Sequence, residues 1–383
     1  MLVTVVADVF GQANNGTTIA ALHLISALKK AGHEVRVVCP DQDKKDKKGF
    51  YIVDTYWTGP FQPIFDKNGV SLAKPDRKTL EEAIEGSDIL YTMMPFATAR
   101  KAVEIAKEKG LPIASGFHVQ AENVTAHFFN LMYSKFANKL VYKNFWKHFY
   151  KDIDAIHYPT QFIRDTFENA VHQKTPGHVI SNGISKDFKH IEVERVPELK
   201  DKFVILMSGR YSKEKKQTLL IKAVAKSKHK DDIQIVFAGS GPRFNQMKRC
   251  AAKYDVHPIY RFFQKEELIQ YLNMSDLYVH TSEIEIEAIS CLEALSCGLV
   301  PLINNSPRSA TKTFALDEKC LFKLNDVNDL AKKIDYWYEH PEEKKELANK
   351  YITYCKQFDF DDCMDKMVKM VEETAQKGKK EKK

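Results

Sequence analysis

Residues 277–301 of this chain have the sequence LYVHTSEIEIEAISCLEALSCGLVP. The segment predicts a short apolar strand over Leu277–Thr281, then an acidic turn, then a helix of about ten residues. Gly298 ends that helix, because glycine accepts the left-handed conformation at a helix C-terminus without strain. Leu299–Ile303 predicts the next strand. A strand, a helix and a strand in this order are typical of a parallel α/β sheet.

The same alternation occurs in both halves of the chain and predicts two such sheets. A chain of 383 residues is also too long for one compact core. We expect domains over residues 1–185 and 200–345, then helices over 346–376 and a lysine-rich tail over 377–383. The clearest strands are Leu2–Ala7, Val35–Val38, Ile89–Tyr91, Ile113–Ser115 and Ala155–Tyr158 in the first half, and Phe203–Ser208, Ile233–Ala238, Ile259–Phe262, Leu277–Thr281 and Val300–Ile303 in the second.

Composition and charge narrow the class of protein. The hydrophobic fraction of 44% and the charged fraction of 28% are those of a soluble globular chain. The N-terminal sequence MLVTVVADVF lacks a basic leader, so it predicts a buried strand and not a signal peptide. The seven cysteines include no C-x-x-C pair, which favours reduced thiols in a cytoplasmic protein and gives no support to zinc. The net charge of +7 comes with no recognisable nucleic-acid-binding module, so no nucleic-acid partner is expected.

Two carboxylates in the opening segment carry a family resemblance. Glu285 in the turn and Glu293 in the helix lie eight positions apart. This arrangement resembles the E-x7-E segment of the retaining nucleotide-sugar glycosyltransferases of family 4. The resemblance implies an α/β fold of the GT-B type, with two Rossmann-like domains facing a central crevice. It also implies that Glu285 positions the donor sugar and Glu293 accepts the ribose hydroxyls, while the helix start faces the diphosphate.

Two further segments fall in the order that the family shows. MSGRYSKEKK, over Met207–Lys216, resembles the family's strand-end G-R-x-x-x-E-K segment. Gly209 would allow the sharp turn, and the resemblance implies that Arg210 and Lys215 bind the donor phosphates. VFAGSGP resembles the next strand end, where Gly239 and Gly241 would line the nucleotide crevice. Taken alone, the first segment could also be a pair of solvated surface cations. The second, taken alone, could also be a plain Rossmann turn.

The N-terminal half contains two loops that the resemblance places near the reacting groups. FGQANNGTT, over residues 10–18, resembles the family's glycine-rich loop, which implies that Gly16 approaches the donor phosphate and the acceptor. The loop does not have the G-x-G-x-x-G spacing of a dinucleotide fold. GFHVQAEN places His118 after a strand, where the family has a His beside the reacting centre. Glu122 and Asn123 are candidates for acceptor contacts. A structural histidine is the alternative for His118.

The segment over residues 277–301 departs from the family pattern at one place. Many members have Phe-Gly two positions after the first glutamate, whereas this chain has Glu287-Ala288. Ala288 still allows close backbone approach, but Glu287 adds a negative charge beside the expected diphosphate. This departure leaves open a non-catalytic nucleotide-sugar- or membrane-binding protein.

A D-x-D triplet at a strand end is the metal-binding pattern of the other glycosyltransferase architecture. The three D-x-D triplets of this chain lie in a lysine-rich loop or beside helical segments, so no metal and no other cofactor is expected.

A basic aromatic segment, HFFNLMYSKFANKLVYKNFWKHFYK, covers residues 127–151. Lysines recur every fourth residue, which places them along one side of a helix. A basic helix with aromatic residues is typical of an interfacial membrane anchor. A core helix with a solvated lysine face is the alternative. The candidate membrane residues are Lys135, Lys139, Lys143, Trp146 and Lys147.

The sequence also resembles the bacterial diacylglycerol glucosyltransferases within the family. That resemblance implies transfer of a hexose, taken as glucose from UDP-glucose, to a lipid at the inner face of the cytoplasmic membrane. Its chemistry would be same-face attack with retention, in which the leaving phosphate accepts the acceptor's proton and neither glutamate acts as a base. A polysaccharide or other saccharide acceptor is the alternative within the class. A nucleotide-dependent oxidoreductase is disfavoured by the missing dinucleotide fingerprint.

Overall fold

The computed structural model describes residues 1–10, 16–57, 72–126 and 131–380. The chain forms two compact units, Met1–Asn182 with Asp361–Lys383, and Gly183–Phe360. Each unit is built on one parallel sheet with helices, which confirms the predicted α/β class. Of the predicted aromatic helix, residues 127–130 lie outside the described residues.

The first sheet has the strand order β3-β2-β1-β4-β5-β6-β7, and every neighbouring pair is parallel. Its central strands are apolar on both faces because helices cover a parallel sheet from both sides. The strands are β1 (Leu2–Val6), β2 (Glu34–Cys39), β3 (Phe50–Ile52), β4 (Ile89–Thr92), β5 (Ile113–Gly116), β6 (Ala155–Tyr158) and β7 (Gly177–Val179). The helices are α1 (Gly16–Lys30), α2 (Arg77–Ile84), α3 (Ala97–Glu108), α4 (Ala121–Thr125), α5 (Lys135–His148) and α6 (Gln161–Val171).

The second sheet repeats this order as β10-β9-β8-β11-β12-β13, again all parallel. The first six strands of each sheet therefore have the Rossmann order 3-2-1-4-5-6, with a topological switch point beside the first strand, and β7 extends the first sheet by one strand. The strands are β8 (Phe203–Ser208), β9 (Ile233–Ala238), β10 (Ile259–Arg261), β11 (Leu277–His280), β12 (Pro301–Asn304) and β13 (Leu321–Phe322). The helices are α7 (Gln217–Val224), α8 (Phe244–Lys253), α9 (Lys265–Met274), α10 (Ile289–Ser296), α11 (Val327–Glu339) and α12 (Pro341–Cys355).

The last helix, α13 (Phe360–Lys380), lies almost entirely in the first unit. Its Glu372 carboxylate lies 2.9 Å from Nε2 of His33, and a Cβ at Gly378 would lie 2.2 Å from Cγ of Pro112. The predicted tail over 377–383 therefore needs correction, because residues 377–380 continue this helix. Packing of the preceding apolar residues against the first unit extends the helix into the lysine run.

Three strands were missed in the sequence, and one helix is shorter than predicted. The missed strands, β3, β7 and β13, contain at most three residues and lie at sheet edges, so they lack a long apolar run. The basic aromatic segment forms α5 only from Lys135, because Ser134 caps that end by accepting the Ala137 N–H at 3.2 Å.

Candidate functional site

The loops after β8 and β9 lie against each other at the carboxyl edge of the second sheet. The Gly209 N–H donates to the Ala238 carbonyl at 2.9 Å. A Cβ at Gly239 would lie 2.1 Å from the Gly209 carbonyl oxygen, and one at Gly241 would lie 2.6 Å from the Tyr211 carbonyl oxygen. Both positions therefore require glycine, and the two loops form one surface at the strand ends.

An ion pair joins the loop after β8 to the loop after β11. The Lys215 ammonium donates to Oε1 of Glu285, and Nε2 of His280 lies 3.1 Å from the same oxygen. The Lys215 and Glu285 side chains keep 18% and 12% of their exposure, so a ligand at the strand ends can reach both. The two sequence motifs thus meet through these side chains.

The charge states of this pair follow from burial and mutual attraction. Burial raises the pKa of Glu285, but Lys215 and His280 outweigh that effect and bring it to about 2. Burial lowers the pKa of Lys215, but Glu285 reverses this and holds it above its ordinary value. Both groups are therefore charged at neutral pH. An ionised Glu285 accepts hydrogen bonds and does not take up a proton at that pH.

His280 is a buried neutral partner of Glu285. Burial lowers the pKa of its imidazole, despite the opposing effect of Glu285. The neutral ring donates from Nε2 to Glu285, while Nδ1 faces the Tyr278 hydroxyl at 3.5 Å. That hydroxyl also lies 3.1 Å from Oγ of Ser208 at the end of β8. A chain of polar contacts therefore connects the sheet to Glu285.

Glu293 lies on α10 and differs from Glu285 in its surroundings. Its side chain is half-buried, and within the described residues it makes no hydrogen bond and no ion pair. Burial raises the pKa of the Glu293 carboxyl to about 8, and the charge of Lys265 opposes that shift only in part. A pair of hydroxyl donors would supply the partners that this carboxylate lacks.

Three other candidates border the same strand ends. Arg210 directly follows Gly209 and is partly exposed, and its carbonyl accepts a hydrogen bond from Nε2 of Gln217 at 2.8 Å. Glu287 and Ala288 lie immediately before α10, and Ala288 is buried at its N-terminus. The backbone of this departure from the family pattern therefore starts a helix, as a Gly at the same position would.

His118 lies after β5 in the first unit. Its ring folds back over Gly116, where a Cβ would lie 2.5 Å from Nε2 of His118. The ring centroid of His157 is 5.4 Å away. Burial, with a smaller effect of His157, lowers the pKa of His118 to about 3, so the imidazole is neutral at physiological pH. Gly16 is the first residue of α1, and the rest of its predicted loop, residues 11–15, lies outside the described residues.

Glu122 and Asn123 belong to the short helix α4. The Glu122 carboxylate is buried and accepts hydrogen bonds from the Tyr142 hydroxyl at 2.9 Å and from Nδ2 of Asn138 at 3.3 Å. Oδ1 of Asn123 accepts the Gln120 N–H at 3.1 Å and so caps the helix. The Glu122 side chain therefore holds α4 against α5, and the Asn123 side chain stabilises the start of α4.

The exposed face of α5 combines apolar and basic side chains. Phe136 is 73% exposed and Leu140 is 51% exposed. Lys143 and Lys147 continue this face at helical spacing and are exposed as well, as is Lys135. The other two candidates contact other residues of the first unit. The Lys139 ammonium lies 3.0 Å from Nε2 of His172. Trp146 is partly buried, and its ring centroid lies 6.4 Å from that of Phe167.

Two family models match adjoining parts of the chain. Residues 14–188 match "Glycosyltransferase Family 4", and residues 189–357 match "Glycosyl transferases group 1". Together they cover residues 14–357, which contain the strand-end residues described above and all the named strands except β1. The chain belongs to glycosyltransferase family 4. The predicted membership of family 4 is therefore confirmed.

Individual proteins resemble this chain in sequence or in structure. Alpha-monoglucosyldiacylglycerol synthase of Streptococcus pneumoniae (strain ATCC BAA-255 / R6) is 24% identical over 317 residues, which are 78% of this chain and 70% of that protein. The catalytic domain of cholesterol-alpha-glucosyltransferase from Helicobacter pylori is 46% identical over 41% of this chain and 99% of the domain, with a TM-score of 0.38. The Anabaena Alr3699/HepE structure with UDP-glucose covers 97% of this chain and 99% of its own, at a TM-score of 0.74 and 15% identity, and confirms the GT-B fold.

Two absences hold for the part of this glycosyltransferase that the structure describes. No helix there is long and apolar enough to cross a membrane. No group of three or more His, Cys, Asp or Glu side chains there is arranged to hold a metal ion.

Sequence reasoning missed His280 as a partner of Glu285. The residue closes β11 and is completely buried, yet its Nε2 contacts Glu285. The available signal was a histidine at the end of an otherwise apolar strand, five positions before Glu285. Strand ends in a parallel sheet face the ligand edge, so that position deserved the same reasoning as His118.

Proposed function

We propose that this glycosyltransferase transfers glucose from UDP-glucose to the hydroxyl of a diacylglycerol-type membrane lipid, with retention of anomeric configuration. The observation that carries the proposal is the reachable Lys215–Glu285 pair at the switch point of the second sheet. Glu293 on α10, whose carboxyl has a pKa raised by burial, adds to it. The name of the Streptococcus pneumoniae relative supports a glucose donor and a diacylglycerol acceptor.

The donor's diphosphate is the leaving group, and its charge grows as the glycosidic bond breaks. Arg210 and Lys215 are the cations at the strand ends that can neutralise it. Lys215 is held by Glu285, so it is pre-oriented and needs only to share its ammonium between the carboxylate and a phosphate oxygen. Groups placed in advance in this way stabilise a transition state most effectively. We propose that no metal ion is needed for the same task.

The two glutamates then have different tasks. Glu285 remains ionised because of Lys215 and His280, so it accepts hydrogen bonds from sugar hydroxyls and does not act as a base. Glu293 receives the two ribose hydroxyls. In the transfer step the bond from C1 to the phosphate oxygen breaks, the acceptor oxygen bonds to C1 from the same face, and its proton passes to the departing phosphate oxygen. No protein group changes protonation in this scheme.

The acceptor side belongs to the first unit in this proposal. His118 is neutral, so it can make a hydrogen bond to a hydroxyl without adding charge beside an apolar acceptor. Glu122 and Asn123 contribute by fixing α4. We do not assign them a direct contact, because their side chains are used within the unit.

A lipid acceptor requires that the enzyme reach a membrane surface, and the exposed face of α5 fits that need. Phe136 and Leu140 provide apolar side chains, while Lys135, Lys143 and Lys147 provide charge. Each lysine near an anionic bilayer contributes about 1 kcal/mol. We therefore propose peripheral association with the inner face of the cytoplasmic membrane through this face.

Co-sedimentation with phosphatidylglycerol vesicles tests the membrane proposal. The double variant Phe136→Ser/Leu140→Ser should release most of the protein into the supernatant. A matched control is Phe262→Ser/Leu324→Ser, which removes exposed apolar side chains from the second unit. Equal binding by both double variants would contradict the role of α5.

Transfer of labelled glucose tests the function itself. UDP-[14C]glucose is incubated with the protein and anionic vesicles that contain diacylglycerol, with and without EDTA, and organic-extractable label is counted. We expect label in the lipid phase that EDTA leaves unchanged and that Glu293→Ala abolishes. Proton NMR of the product should show the α-anomer, as in the donor.

Other outcomes would replace parts of the proposal. Label in vesicles with cholesterol, or in a soluble saccharide, but not in diacylglycerol, would keep the enzyme class and change the acceptor. Binding of UDP-glucose without transfer to any acceptor would favour a non-catalytic nucleotide-sugar-binding protein.

A further inference from the structure

Glu283 is a fully buried carboxylate two residues before Glu285. It lies in the loop after β11, outside every motif that the sequence resemblance used. Its Oε2 accepts from the Lys216 ammonium at 3.0 Å, and its Oε1 accepts from Nη2 of Arg308 at 2.8 Å and from Nδ2 of Asn325 at 2.9 Å. One carboxylate thus holds two cations from two different loops.

The side-chain contacts of Glu283 reach the residues next to the catalytic pair. Lys216 directly follows Lys215 and has a left-handed backbone with φ of 55°, immediately before α7. This conformation is unfavourable for a residue with a side chain and needs outside contacts to hold it. The ion pair with Glu283 is such a contact, and it fixes the turn that presents Lys215.

Arg308, the second cation that Glu283 binds, contacts the backbone of Glu285. The carbonyl of Arg308 accepts the Glu285 N–H at 3.4 Å, and the Ala310 N–H donates to the Glu285 carbonyl at 2.8 Å. Arg308 therefore links the Glu283 carboxylate to the backbone of Glu285. Fixing Arg308 fixes the start of the segment that carries the sugar-binding carboxylate.

The backbone of Glu283 adds two further links. Its N–H donates to the Glu214 carbonyl at 2.8 Å, and its carbonyl accepts from Oγ of Ser306 at 2.7 Å. Glu214 directly precedes Lys215. The loop that carries Lys215 is thus tied to Glu283 on both sides, through Glu214 and through Lys216.

We propose that Glu283 is a positioning residue that sets the distance and orientation of the Lys215–Glu285 pair toward the donor. The inference rests on the proposed donor role of that pair. A buried carboxylate between two cations can be replaced by a neutral amide only at the cost of leaving those cations under-compensated. The loops then shift, and a misplacement of about 1 Å at reacting groups can lower turnover about 100-fold.

Glu168 provides a matched control for a purely structural effect. It is also a buried carboxylate with two cations, Nε of Arg164 at 3.0 Å and the Lys174 ammonium at 2.9 Å, but it lies on α6 in the first unit. Glu283→Gln and Glu168→Gln therefore remove the same kind of interaction in the two units. A general loss of stability should affect both variants alike.

The experiment measures kcat, the donor KM and the dissociation constant of UDP for wild type, Glu283→Gln, Glu283→Asp and Glu168→Gln, on fractions shown by circular dichroism to be folded. We expect Glu283→Gln to lower kcat by about 10–100-fold and to weaken UDP binding. Glu283→Asp, which keeps the charge, should recover part of both, and Glu168→Gln should match wild type per folded molecule.

A kcat of Glu283→Gln within twofold of wild type, or a loss equal to that of Glu168→Gln, would overturn the positioning role. If the wild-type chain transferred no glucose, the proposed function would fail and the UDP titrations would decide on Glu283 alone. Unchanged UDP affinity in Glu283→Gln would then overturn the inference, and weakened affinity would support it. Absence of UDP binding by the wild type would overturn both.

Discussion

The two units share one sheet topology but differ in the chemistry of their strand ends. In the second unit the ends of β8 and β11 carry an ion pair, Lys215 with Glu285, and a second buried network around Glu283. In the first unit the corresponding region carries the neutral His118 and the buried Asp8. Among the described residues, the same backbone arrangement therefore carries an ion pair in the second unit, and a neutral imidazole with a partly protonated carboxyl in the first.

The difference teaches which ligand each edge can take. A diphosphate needs cations that remain charged and are held in place, and the second unit provides them. An acceptor with a long apolar body gains nothing from fixed charge and would lose from it, because unpaired charge beside hydrocarbon is costly. His118 in the first unit adds no such charge at physiological pH. We take this asymmetry as the physical basis for assigning the donor to the second unit.

Removing the central cation should have the largest effect. Lys215→Ala deletes the group proposed to neutralise the leaving diphosphate, so we expect kcat to fall by about 10²–10³-fold. The control is Lys319→Ala, because Lys319 also pairs with a glutamate, Glu343, but is exposed away from the strand ends. Steady-state transfer of glucose to lipid measures both. Equal rates for the two variants would erase the contrast between the units.

The substitution Asp8→Asn should have an intermediate effect, and it should act on the free energy of unfolding. Asp8 accepts the Thr98 N–H at 2.9 Å and the Ala99 N–H at 3.2 Å, and burial outweighs these bonds to raise its pKa to about 7. The folded-state pKa exceeds the unfolded value of about 4, so the wild type loses stability as the pH rises from about 4 to about 7, where the unfolded chain ionises and the folded chain stays protonated. The Asp8→Asn variant lacks this loss, so between pH 5 and pH 8 it should gain roughly 3 kcal/mol relative to wild type.

Urea denaturation at pH 5 and pH 8 measures this change for Asp8→Asn. The control is Asp76→Asn, which removes an exposed cap of α2 whose pKa is lowered by hydrogen bonds from Thr79. That carboxylate is already ionised by pH 5, so its contribution should be flat over the same range. A parallel response of the two variants would show that the first unit does not suppress charge at Asp8.

The pH dependence of donor binding should show the smallest effect. If only the ionised form of Glu293 accepts the ribose hydroxyls, a pKa of about 8 means that a small fraction is competent at neutral pH. UDP-glucose affinity should then rise about tenfold from pH 7 to pH 9, because the competent fraction rises by that factor. Calorimetry on wild type and Glu293→Gln checks this, and a flat wild-type profile would remove the proposed role of the ionised carboxylate.

The sequence was sufficient for the fold class and for the motifs at the strand ends. The strand–turn–helix around Glu285 and Glu293 was visible because apolar periodicity and a glycine stop are local signals. The partners of those residues were not visible. The contact of Arg308 with Glu283 depends on how separate loops meet at one sheet edge, and the contact of His280 with Glu285 depends on the conformation of the loop after β11.

The aromatic segment shows the same limit in the first unit. Its composition indicated an amphipathic helix, but which side chains project depends on tertiary packing. Trp146 turns toward Phe167, whereas Phe136 and Leu140 remain exposed. Periodicity alone could not separate these faces, because aromatic residues occur on both.

Hydrogen–deuterium exchange with and without UDP tests most directly whether the charged edge of the second unit binds the nucleotide. We predict that UDP slows exchange in residues 209–217, 239–243 and 283–293, and leaves the loop around His118 unchanged. Protection confined to the first unit, with no change in those three segments, would contradict the account.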